Sequence, residues 1–141
     1  MSYCHKQSEL VATLRTRLGS FSYSIWIDKE NPANAGQSIY EWMAEGIDKS
    51  KSLMSCMSLD YEKSANCQRE LVYATELKKP IFFIRADKGY KAEHWLRLIM
   101  GGAQYHDLTG DNKEEAWNYL TMQLKKEFGT RISARRMKLS F

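Results

Sequence analysis

No stretch of this chain is apolar for long enough to cross a bilayer; its apolar runs, such as Pro80–Ile84, are of strand length. No apolar run follows the early lysine at the amino terminus, so no signal peptide is expected. Cysteine is scarce and odd in number. Cys4, Cys56 and Cys67 lack zinc-binding spacing and read as reduced thiols of a cytosolic protein. The histidines, His5, His94 and His106, are scattered, and no metal site is expected. Both phosphate-cradling loops, G-x-x-x-x-G-K-[ST] and G-x-G-x-x-G, are missing. So are G-x-S-x-G and a Ser-His-Asp set, which excludes the usual serine hydrolases. A phosphoacceptor domain needs an aspartate at the end of its central strand, where this chain has Cys56-Met57-Ser58.

What is present is ordinary globular material. The chain has 141 residues, 43% hydrophobic and 27% charged, enough for one domain with one core. Lys and Arg total 21 against 17 acidic residues, a net charge of +4. Much of the excess lies in Arg131, Arg135, Arg136 and Lys138, which meet no acidic neighbour. Residues 129–141 are therefore expected to be a solvated basic tail or linker, with contact to an anionic membrane as the alternative. The rest is close to neutral, and no nucleic-acid surface is indicated.

Strand-like and helical segments alternate. Strands are expected at Ser22–Ile27, Ser52–Met57, Pro80–Ile84 and Ala103–Leu108. Helices are expected around Leu10, Val11, Leu14 and Leu18, then at Ile39–Ile47, Cys67–Leu77, Glu93–Met100 and Lys113–Phe128. The order predicts an α/β fold, a parallel sheet with helices on both faces. Met1-Ser2-Tyr3 reads as the end of a shortened first strand. Ligands of such sheets bind at the carboxyl ends of the strands. Those ends lead here into Cys4-His5, Asp28–Gln37, Ser58–Asn66 and Arg85–Lys91.

Ser64 and Asn66 are both candidate caps of the third long helix, and Glu70 is expected within its first turn or so. Glu70 there either complements the helix dipole or stabilises positive charge on a substrate. Ser38, with Glu41 three residues on, forms a capping-box pattern. Cys67 is either a redox-sensitive thiol or a small buried apolar residue.

The strings S-Y-x-x-K, I-W-I-D-K-E-N, Y-E-K-S-A-N-C-Q-R-E-L-V-Y-A, K-K-P-I-F-F-I and G-Y-K-A-E-H-W-L together resemble the TIR (Toll/interleukin-1 receptor) domain. The likeness runs in order from Met1 to about Gly110 and is closest to animal and protist members that cleave NAD⁺. It implies a flavodoxin-like fold over residues 1–128, with five parallel strands and Asp28–Gln37 as the BB loop. Some TIR domains are scaffolds that signal by TIR–TIR association; others cleave NAD⁺ at the nicotinamide–ribose bond, usually when assembled. In the enzymes a glutamate on the third helix is essential, and Glu70 matches its position. Loss of nicotinamide leaves an oxocarbenium-like ribosyl centre that one carboxylate can steady. NAD⁺ is then a substrate, and no cofactor is needed.

The same resemblance makes Cys4, His5, Asp28, Gly36, Ser38 and Trp95 candidate substrate-binding residues. Trp95 either sandwiches a ring of the dinucleotide or anchors its own helix. Asp28 either reaches a ribose hydroxyl or caps its loop. Asn66 stands where many enzymatic members carry tryptophan, and Cys4 and His5 stand where arginines occur. The expected function is thus a cytoplasmic NAD⁺ hydrolase, with cyclisation as a second product route, in innate immune or cell-death signalling. The alternative is a non-catalytic TIR scaffold.

Overall fold

The computed structural model describes residues 5–19, 23–26, 35–128 and 135–140. Its elements are α1 (His5–Gly19), β1 (Tyr23–Trp26), α2 (Ile39–Asp48), β2 (Ser52–Met57), α3 (Leu59–Lys63) and α4 (Ala65–Glu76). They are followed by β3 (Ile81–Arg85), α5 (His94–Met100), β4 (Tyr105–Asp107), α6 (Lys113–Phe128) and β5 (Arg135–Ser140). The strands form one five-stranded sheet in the order β1-β5-β2-β3-β4, and every pairing is parallel. The expected α/β architecture, a parallel sheet flanked by helices, is what forms.

Alternation along the strands sorts side chains to two cores. Met54, Cys56, Phe82, Ile84, Met137 and Leu139 face one side and pack with Val11, Leu14 and Leu18 of α1 and Trp117, Leu120 and Leu124 of α6. Leu53, Met57 and Phe83 face the other side, with Ile47, Tyr61, Cys67, Leu71 and Leu96 from α2 to α5. Both faces are covered, which is why β2 is buried along its whole length.

Residues 135–140 correct the linker reading of the carboxyl-terminal segment. They form a strand between β1 and β2, with Tyr23–Trp26 in register with Arg135–Lys138 on one side and Ser52–Ser55 with Met137–Ser140 on the other. The physical reason is a period of two that the basic residues disguise. Met137 and Leu139 enter one core while Lys138 and Ser140 face the other, and all four are buried. The expected shortened strand at Met1–Tyr3 lies outside the described residues.

Other boundaries differ locally. The segment read as a loop from Ser58 to Asn66 contains α3, because Ser58 caps it by accepting the Tyr61 N–H at 3.1 Å. Ser64 then caps α4 by accepting the Cys67 N–H at 3.2 Å, so α4 begins at Ala65. The earlier start puts Glu70 in the second turn rather than the first, out of reach of the helix dipole.

Candidate functional site

The consecutive caps Ser58 and Ser64 steer the chain from the carboxyl end of β2 through α3 into α4. The second turn of α4 thereby packs on the sheet, and Glu70 is turned inward, with 7% of its surface exposed. Facing it from β5 is Lys138, which is fully buried at 0% exposure. Its Nζ lies 3.2 Å from Glu70 Oε2. A buried carboxylate and a buried ammonium offset each other's desolvation, and neither charge is tolerable there alone.

Beside the pair, the Tyr61 hydroxyl and Ser140 Oγ are hydrogen-bonded at 2.9 Å. Tyr61 is buried, and burial followed by the nearby Cys67 thiol pushes its phenol well above the ordinary range. Burial raises the Cys67 thiol to about 11 and the Cys56 thiol to about 12, so both remain protonated at neutral pH. Cys56 and Cys67 are free and buried. Both act as small apolar residues.

Trp95 stacks on Tyr61 with ring centroids 6.2 Å apart and 28° between planes. Its indole N–H donates to the Glu62 carbonyl oxygen at 2.6 Å. Trp95 is thus half-buried and anchored at both its face and its edge. Glu62, which the sequence reading passed over, is the hub of this region. Its Oε1 accepts the Tyr90 hydroxyl at 2.7 Å and the Glu93 N–H at 3.0 Å, and its Oε2 lies 3.3 Å from His94 Nδ1. Tyr90 donation is the main reason its carboxyl group titrates below the ordinary 4.5. Nothing local in L-D-Y-E-K announces this role, since all three side-chain or N–H partners come from about thirty residues downstream.

Of the remaining candidates, Ser38 and Gly36 are described, and both lie at the turn into α2. Ser38 caps α2 by accepting the Glu41 N–H at 3.1 Å, as its pattern predicts. Gly36 is exposed with φ +82°, a left-handed turn before that cap. Cys4 and Asp28 lie outside the described residues, and so does the side chain of His5, which opens α1. A cavity of about 460 Å³ lies on the opposite face of the sheet, lined by Arg17, Ala86, Lys88, Leu108 and Trp117 among others, and includes neither Glu70 nor Trp95. Among the described residues no cluster of His, Cys, Asp and Glu could hold a metal, and no helix is long and apolar enough to cross a membrane.

No curated protein and no solved structure matches the chain significantly. A family model for the TIR domain matches residues 1–121, everything from α1 through the first half of α6. With a parallel, doubly wound sheet and most of its length inside that match, the chain belongs to the TIR domain family.

Proposed function

We propose that this domain is a signalling module that works by homotypic association with other TIR domains. The observation that supports it most is the closure of Glu70. Cleaving NAD⁺ needs a carboxylate open to the ribose, whereas Glu70 is buried against Lys138. Association also has a surface in Ile39 and Tyr40 of α2 and Val72 of α4, large apolar side chains left exposed. The Arg69 guanidinium lies 5.3 Å over the Tyr40 ring and gives that surface a charged partner for the aromatic face. Light scattering across a concentration series tests the proposal. Tyr40→Ser with Val72→Ser abolishes the association that reverses on dilution while leaving the melting temperature nearly unchanged; reversible association that survives both substitutions overturns it.

A second reading, NAD⁺ hydrolysis, draws on one observation. A helix-surface glutamate has no need to be buried, yet the family-matched carboxylate is turned into the fold. On this reading Lys138 withdraws upon assembly and Glu70 contacts the ribose. The C–N glycosidic bond breaks, nicotinamide leaves neutral with the electron pair, and water adds to the ribosyl carbon to give ADP-ribose and a proton. Gly36, Ser38 and Trp95, with Cys4, His5 and Asp28, then border the dinucleotide. Incubating bead-clustered protein with NAD⁺ and following free nicotinamide decides it. Release that disappears in folded Glu70→Ala supports hydrolysis, and no release from assembled protein discards it. Cytoplasmic action in immune or cell-death signalling suits either reading.

A further inference from the structure

In a doubly wound sheet of order 2-1-3-4-5, the slot between the second and third strands belongs to the first strand of the chain. Here β1, β2, β3 and β4 occupy the positions of strands two to five, and β5, the last strand, fills the first-strand slot. The strand that does so lies beyond the family match, which ends at residue 121.

We infer that the slot between β1 and β2 is a strand-acceptor site, and that β5 of a second copy of this chain can occupy it in place of the chain's own. Everything that recognises the strand is carried by the strand and the slot. Parallel ladders join β5 to β1 and to β2, and among the described residues β1 has no other strand partner. Met137 and Leu139 fill the core under α1 and α6. Lys138 meets Glu70, and Ser140 meets Tyr61. None of these contacts requires that strand and slot belong to one polypeptide, so exchange preserves them all and concentration sets how much of it occurs. The donated strand also carries the cation that closes Glu70, so the glutamate of one copy is closed by a residue of the next.

Charge reversal in the whole 141-residue chain tests this. Glu70→Lys sets a second cation against Lys138, and Lys138→Glu sets a second anion against Glu70, so each variant alone melts well below the original protein. The strand of the Lys138→Glu chain complements the slot of the Glu70→Lys chain, and the other strand and slot are unaltered. Refolded together, the two give a mixed assembly of at least twice the chain mass whose melting temperature recovers toward that of the original. Absence of a mixed assembly, while the chain carrying both reversals melts as a normal monomer, overturns the inference. Should that double variant fail to fold, the unmodified chain decides. Refolding at rising concentration gives a dimer that persists on dilution if strands exchange, and only monomer if they do not. The inference does not rest on the α2–α4 surface. Tyr40→Ser with Val72→Ser leaves the mixed assembly intact, so the two forms of association fail separately.

Discussion

Lys138 on the last strand and Glu70 on α4 form a buried ion pair, with Nζ 3.2 Å from Oε2, that joins the carboxyl-terminal strand to the helix layer. The strand that completes the sheet also supplies the charge that closes Glu70. The chemistry of Glu70 therefore cannot be read apart from the strand packed beneath it.

Removing either partner takes away the opposite charge against which the other is buried. Lys138→Met and Glu70→Gln are each expected to lower unfolding free energy, the former by about 3–5 kcal/mol. The chain with Lys138→Met and Glu70→Leu together recovers most of that loss, because two apolar side chains need no desolvation. Urea unfolding midpoints with constant slopes check both statements. A Lys138→Met chain as stable as the original removes the pair from any account of the fold.

The turn into α2 makes a smaller prediction. Ser38→Ala exposes an orphan N–H at Glu41 and costs about 1 kcal/mol. Gly36→Ala meets no atom within 4 Å, so its cost of about 1–2 kcal/mol comes only from placing a Cβ at φ +82°. Additive losses in the double variant, read from thermal unfolding, indicate that the two positions act independently.

What could be read in advance follows from the range of the interactions. The stripes Leu10-Val11-Leu14-Leu18 and Trp117-Leu120-Leu124 are local periodicities, and both face the core as read. The strand at Ser52–Met57 was bounded correctly for the same reason. In β5, counting charges obscured the alternation of Met137, Lys138, Leu139 and Ser140, because the partner that tolerates Lys138 lies 68 residues earlier at Glu70. The Glu62 hub was equally hidden. Its partners Tyr90, Glu93 and His94 are brought to it only once α3 and the loop after β3 have packed together.

That hub is expected to fix the loop that carries Trp95. Glu62→Gln replaces charge-assisted hydrogen bonds with weaker neutral ones and costs about 1–3 kcal/mol. Amide exchange should quicken across Asp87–Trp95 more than in β3 or α6. Because the folded carboxyl group titrates below 4.5, this contribution is present above that pH and is lost as pH falls through the folded value. Unchanged exchange in the loop would mean that packing on Tyr61 alone holds Trp95.

A second pH dependence comes from His106 on β4, which is buried and packs at a 45° tilt against Tyr119 with centroids 5.3 Å apart. Its Nε2 shares a hydrogen bond with Gln123 Oε1 at 3.0 Å, which makes Nε2 the donor and leaves Nδ1 bare. Nδ1 is buried with no partner among the described residues, so a proton there is not accommodated. Burial accordingly holds the imidazole below its ordinary 6.5, despite the Gln123 bond acting the other way. The sign follows from proton counting. Below pH 6.5 the unfolded chain binds a proton that the folded chain refuses, so stability is fully present above 6.5 and declines as pH falls toward the folded value. The decline is at most about 1.4 kcal/mol per pH unit for one site. His106→Leu should flatten the melting temperature between about pH 6.5 and pH 5, where few carboxylates titrate. An equal slope in the variant would place the titrating group elsewhere, and the tautomer read from Gln123 would then carry no consequence for stability.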